Sequence, residues 1–452
     1  MIFCRRNLIY RYCSAADKKA AGMFGIFSRK KRLQQSATVS ADPSEQPVAS
    51  PHVSSVIVPF SAVERAAKEN YVADLVTAVM DFVNAMLDQG LYKDHEIPAS
   101  ARQFFHTYLY GMEVTNGGHS QFIHNYRGGL DKITSDARLA LAGMRAANHL
   151  AVLEQMVAWV REYPKEAEEQ TGFDGGRADF LDKLDDLFHE EEDTVPLLAR
   201  AVGWIASWPE LEIVDDAECQ EAILGVVMAN PRREPRLRHR SVFHLKAVMT
   251  SRLEVGIGLA CAGLPQPEVK LGLGDGRMLD IDGEKQMAFP VLTNAGRVLL
   301  CVVTSTHAAA YQYLAADGTE PQLDLGPVDS VDELLGEGAP RVGLKLSHVD
   351  ADSIATVIKL AEDYRAPAAL DLLLRRAGID TAGAVALPSM LISREGGSVV
   401  SWTIAAGDRL LFLLSTPNGS ALLRSGVEDP LADAHRLEIE EHFARAEADG
   451  AN

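Results

Sequence analysis

Seven carboxylates crowd one short stretch of the chain: Asp182, Asp185, Asp186, Glu190, Glu191, Glu192 and Asp193. Glu162, Glu166, Glu168 and Glu169 lie close before them. Such a row can attract a basic partner; otherwise it is a solvated helix face. A second set is Glu113, Asn116, Gly117, Gly118, Gln121 and Asn125. Asn116-Gly117-Gly118 can break one helix and cap the next, because glycine accepts positive φ and close backbone approach. Gln121 and Asn125 are four apart and share a helix face. With Glu113 they could line a polar pocket. The stronger expectation is a buried hydrogen-bond set that fixes the turn, since buried amides must find partners.

Other chemistry finds little support. Glu113, His119, His124 and His149 could meet on facing helices as a metal site, but none has paired spacing such as His-Glu-x-x-His. Gly272-Leu273-Gly274-Asp275-Gly276 lacks the Lys-Ser/Thr of a phosphate loop and reads as a hairpin turn. Asp275, Asp280, Asp282 and Glu284 do not follow the EF-hand pattern. No Gly-x-Ser-x-Gly elbow occurs. Cys219, Cys261 and Cys301 sit among apolar residues and read as core. No metal or cofactor is expected.

The charge is unevenly distributed around these sets. The formal net charge is −19, which argues against direct binding to nucleic acid. Residues 60–215 carry 13 basic and 27 acidic side chains, a net −14. Residues 1–59 carry nine Lys and Arg against Asp17, Asp42 and Glu45, a net +6. One basic patch lies in the part expected to fold: Arg232, Arg233, Arg236, Arg238 and Arg240, with Lys246 and Arg252, opposed by Glu234. It could contact nucleic acid or a phosphate, but the stronger expectation is that it neutralises the acidic helices next to it, in this chain or in a second copy. The five cysteines are scattered, form no CxxC, and suit a reducing, cytoplasmic setting. No run approaches the roughly 18 apolar residues of a membrane span. Met23-Phe24-Gly25-Ile26-Phe27 followed by Arg29–Arg32 resembles a bacterial start, so residues 1–22 are expected to be an upstream start-site artefact.

The elements that must position these residues can be read from periodicity. Residues 1–59 are expected to form a disordered basic tail and linker, rich in Ser, Ala, Pro and Gln near its end. Residues 60–215 read as an all-α helical domain of roughly six helices. Ser61-Ala62-Val63-Glu64 is expected to open the first as a capping box. Thr194 is expected to cap the helix ending near Trp208. Residues 216–265 form a helical connector carrying the basic patch. From 266 the period shifts toward two. Val269–Leu273 and Met278–Ile281 are expected to pair as a hairpin around Gly274-Asp275-Gly276. Residues 266–452 read as α+β, with two similar halves suggested by Ala288–Thr304 and Pro388–Thr403.

One resemblance sharpens this picture. Glu113, Val114, Asn116, Gly117, Gly118, Gln121, Phe122 and Asn125 match the pattern Glu-Val-x-Asn-Gly-Gly-aromatic-x-Gln-aromatic, with Asn following. The segment thereby resembles the signature of a bacterial DNA-mimic protein family, most of whose members are catalogued as a domain of unknown function. Phe180–Phe188 followed by Glu190–Asp193 is similar to that family's C-terminal helix. The resemblance covers about residues 65–208. His119 stands where the family has an aromatic. Through one studied type in that family, the resemblance implies a helical protein whose acidic surface imitates DNA phosphates and occupies a transcription factor.

The expected function is therefore a non-enzymatic acidic binding protein with a basic, nucleic-acid-binding or regulatory partner. Neither nucleic acid nor a membrane is an expected direct partner. The alternative from another class is an enzyme or ligand-binding protein using an inter-domain cleft or a His/Glu metal site. Self-association through Arg232–Arg252 against acidic helices is a third expectation.

Overall fold

A computed structural model describes residues 52–68, 71–171, 177–321, 331, 340–381, 385–394, 397–406, 409–424, 427 and 429–451. The first part is mostly helical, and antiparallel sheets with helices follow. The expected tail over residues 1–51 lies outside the described residues. Residues 56–59, placed in that tail from sequence, instead form a strand.

That strand, β1 (Val56–Pro59), pairs in parallel with β2 (Leu211–Val214), so the helical region is closed by a short strand pair. Val56-Ile57-Val58 are β-branched and buried, which suits a pleated, packed surface. Between them run α1 (Phe60–Lys68), α2 (Ala73–Asn84), α3 (Ala99–Tyr126), α4 (Leu130–Gly143), α5 (Ala147–Glu162), α6 (Pro164–Glu169), α7 (Asp179–Thr194) and α8 (Leu197–Ile205). One core unites them, with Leu75, Phe82, Phe104, Tyr110, Phe122 and Phe188 at 1% exposure or less. Pro98 precedes α3, where a proline needs no hydrogen bond.

Two expected caps are placed differently. Ser61 lies inside α1, and its backbone N–H donates to the Asp216 carboxylate at 3.0 Å. A carboxylate from a distant helix thus does the capping. Thr194 ends α7, its hydroxyl donating to the Glu190 carbonyl four residues back. Glu192 caps α8 instead, accepting from the Leu197 N–H at 2.8 Å.

Helices α9 (Asp216–Ala229), α10 (Arg233–Met249) and α11 (Arg252–Ala262) follow. The basic patch lies along α10, and its arginines are committed within the chain. Arg233 donates to the Gln89 carbonyl, Arg240 to the Asp88 carbonyl, and Arg238 to Asp449. Arg236 grips Glu96 with both terminal nitrogens at 2.6 and 2.7 Å and also reaches the Leu91 carbonyl. Arg232 sits at the N-cap of α10. The helix is thus an internal clamp on the acidic region. Glu96 is 2% exposed, so its charge depends on that fork. Arg236→Lys keeps the charge but loses the planar fork, and should cost about 1–2 kcal/mol in urea unfolding. An unchanged midpoint would show that the fork adds nothing.

The rest forms two antiparallel sheets. The first orders β3 (Lys270–Leu273), β5 (Glu284–Thr293), β6 (Val298–Val303), β7 (His307–Leu314) and β8 (Arg341–Asp350), with β4 (Arg277–Ile281) also on β5. The expected hairpin between β3 and β4 is absent, because each pairs with a different stretch of the long β5. The true hairpin is β4–β5. Its turn, Asp282-Gly283, has φ of +55° and +86°, the left-handed pair that an Asp-Gly hairpin requires. Helices α12 (Ala351–Asp363) and α13 (Ala366–Arg376) lead to the second sheet: β9 (Val385–Arg394), β10 (Gly397–Ala406), β11 (Arg409–Thr416), β12 (Gly419–Arg424) and β13 (Ala432–His435), in the order β13-β12-β11-β10-β9. The final helix, α14 (Arg436–Ala451), packs on α10 and α13. One apolar cluster spans both sheets, from Val242 and Cys301 to Trp402 and Phe443.

Candidate docking surface beside the double-glycine turn

Helix α3 breaks at Gly117-Gly118. Gly117 has φ −153° and ψ 17°, and Gly118 has φ +79° and ψ 179°. The second pair of angles is open to glycine almost alone. The turn lets the two halves of α3 change direction while Glu113 holds them together. Its Oε2 accepts from Gln121 Nε2 at 2.6 Å and from Asn125 Nδ2 at 2.8 Å. Glu113 is 8% exposed, so these bonds satisfy a buried acid. Asn116 is exposed and stands outside this set.

Asp185 from α7 enters the same turn from below. It accepts from the His119 backbone N–H at 2.7 Å and from His119 Nδ1 at 2.5 Å. Its other oxygen accepts from Arg177 Nη2 at 2.6 Å. Burial works against the Asp185 charge, but the His119 hydrogen bonds and the Arg177 cation outweigh it, holding the carboxyl below its usual range. Nδ1 donates to the carboxylate, and His119 Nε2 lies 3.0 Å from the Tyr110 hydroxyl, accepting from it when the imidazole is neutral. Burial, then the nearby Asp185 charge, pushes the Tyr110 hydroxyl pKa up. The chain Asp185–His119–Tyr110 has the partners of a proton relay. At one end it meets a fully buried hydroxyl wedged edge-on against Phe122 and Phe188, so it braces the turn.

The acidic row is therefore divided. Asp185 points inward. Glu192 accepts from His149 Nε2 at 2.7 Å and caps α8. Glu191 accepts from Asn148 and Arg200, and the Asn148 bond leads in lowering its pKa. Asp182 is exposed and meets Arg177. Asp186, Glu190 and Asp193 are exposed with no side-chain partner among the described residues. The residues that point outward, Asp179, Asp182, Asp186, Glu190 and Asp193, have spacings of 3, 4, 4 and 3, which is one helix face. Lys183 borders that stripe. Arg177, Asp182, Asp185 and Asp186 also line an open hollow of about 310 Å³. The four groups considered for a metal go to separate partners: Glu113 to Gln121, His119 to Asp185, His124 to the Gln170 carbonyl and His149 to Glu192.

The inward role of Asp185 carried a sequence signal. Leu181, Leu184, Asp185 and Phe188 stand at i, i+3, i+4 and i+7, so the apolar stripe of α7 places this carboxylate on its buried face. Arg177 had no such signal, since it precedes the helix.

Residues 95–207 match the family model described as DMP19-like protein. That family is the one named for DNA mimic protein 19. The matched segment runs from just before α3 to the end of α8 and contains the broken helix, its brace and the acidic stripe. No curated protein and no solved structure matches the chain. No helix among the described residues is long and apolar enough to cross a membrane.

Proposed function

We propose that the helical region acts as a phosphate-like surface that engages a basic, nucleic-acid-binding protein, without chemistry of its own. The observation that carries this reading is the outward stripe Asp179, Asp182, Asp186, Glu190 and Asp193, lying within the segment that matches a DNA-mimic family. At 1.5 Å per residue the stripe spans about 21 Å. One strand of DNA presents about six phosphates over that length. Five carboxylates on one helix face approach the same line density. The brace beneath supports the reading physically. Asp185 and His119 fix α7 against α3, Glu113 ties the two halves of α3 together, and a mimic must hold its charges in place, because any ordering left to binding weakens affinity. Phe180 and Leu187, 37% and 45% exposed, flank the stripe and would give a bound protein apolar contact.

The His/Glu metal site loses its motivation, because its four candidate ligands are drawn to separate partners. Self-association through the arginine patch loses its own, because Arg233, Arg236, Arg238 and Arg240 are engaged within the chain.

The test is capture of basic proteins from lysate on the immobilised chain, followed by DNA competition with each captured protein. Capture should fall at least about tenfold between about 50 mM and 500 mM salt. The variant Asp182→Asn, Asp186→Asn, Glu190→Gln and Asp193→Asn should fold normally and capture little. A captured set indifferent to both salt and these substitutions would sink the proposal.

A further inference from the structure

Arginines in this acidic chain are commonly neutralised within it: Arg102, Arg138, Arg177, Arg236, Arg297 and Arg375 each meet a carboxylate. Arg409 and Arg424 have neither an ion pair nor a side-chain hydrogen bond among the described residues. They are also neighbours. Leu411 on β11 lies opposite Arg424 on β12, and Arg409 precedes Leu411 by two residues. Alternation along a strand puts all three side chains on one face. The diagonal places the two arginine Cβ atoms about 7–8 Å apart.

The face they share is the inward one. Leu411, Leu413 and Leu422 on it are buried at 2% or less. Where that apolar surface reaches the end of the sheet, the two exposed guanidinium groups begin. They flank a cavity of about 450 Å³ that Leu410, Leu411 and Leu431 also line. Two like charges side by side on adjacent strands repel. An anion between them removes that repulsion, and guanidinium forks match phosphate oxygens in geometry. The volume falls in the range of small-molecule sites.

We propose that this cavity binds a small phosphate monoester. Its phosphoryl oxygens lie between Arg409 and Arg424, and its organic part lies against Leu411 and Leu431. The site is independent of the acidic stripe and stands or falls without it.

Calorimetric titration of the full chain with phenyl phosphate, inorganic phosphate and phenol tests this. Phenyl phosphate should bind with Kd below about 1 mM, and inorganic phosphate at least about tenfold more weakly. The double variant Arg409→Gln and Arg424→Gln, altered at two exposed side chains, should weaken phenyl phosphate by at least about tenfold. Arg409→Lys with Arg424→Lys should fall between, since it keeps the charge without the forks. A native chain silent to phenyl phosphate up to about 10 mM overturns the proposal. So does a glutamine variant that binds it as tightly as the native chain. Phenol binding as tightly as phenyl phosphate removes the anion from the account, and equal binding of inorganic phosphate removes the apolar contact.

Discussion

An Asp185→Ala variant should lose about 3–5 kcal/mol of stability in the helical region, the cost of removing one partner from a buried charged cluster. The carboxylate accepts from two donors of His119, a residue with 0% exposure, and from Arg177. Truncation strands the buried backbone N–H and the ring N–H, each costing about 1–3 kcal/mol when left unmade. Arg177 suffers less, because it still reaches Asp182 at 3.0 Å. Asp185→Asn should fall between, since its amide oxygen can still accept from His119 while its NH₂ opposes Arg177. Scanning calorimetry is the measurement, with the helical transition falling by about 10 °C or more. A shift of about 2 °C or less would show that the turn does not depend on this brace.

The same brace predicts the acid response. The folded pKa of Asp185 is lowered relative to the unfolded chain. Its contribution is therefore fully present above the unfolded value of about 4, and is lost as pH falls through the folded pKa. Native Asp185 should make the helical region progressively less stable below about pH 4, and the alanine variant should lack this part of the acid dependence.

Much of the architecture was legible because it rests on local signals. The 3.6-residue periodicity over residues 60–215 pointed to the helices, and the shift toward a period of two from 266 pointed to the strands. What escaped notice was non-local. β1 and β2 lie about 150 residues apart in sequence and are short and parallel, so no turn announces them. Asp216 caps α1 from a distant helix. The Asp282-Gly283 turn was a readable hairpin signal, overshadowed by the richer glycine run at 272–276. In the site, Gln121 and Asn125 were readable as a pair because helix geometry alone sets their spacing. In sequence Asp185 stands among outward carboxylates, whereas its place on the apolar stripe of α7 turns it inward.

That inward turn bears on why position 118 is a glycine, and it sets the second large effect. Gly118→Ala should cost about 3 kcal/mol or more, from a backbone conformation closed to side chains and from a collision. A Cβ at Gly118 would lie 2.1 Å from Asp185 Oδ2 and 2.4 Å from Arg177 Nη2. At Gly117 φ is negative, and a Cβ would meet the end of the Gln121 side chain at 2.0 Å. Gln121 can swing away at the loss of its bond to Glu113, so Gly117→Ala should cost only about 1 kcal/mol. Gly128→Ala, with nothing within 4 Å, is the neutral control. The collision has its own signature in a double-mutant cycle. If Asp185 is the atom met, Gly118→Ala should cost at least about 1 kcal/mol less in the Asp185→Ala background than in the native chain. Strict additivity would assign the whole penalty to backbone strain, and Asp185 would no longer be the reason position 118 lacks a side chain.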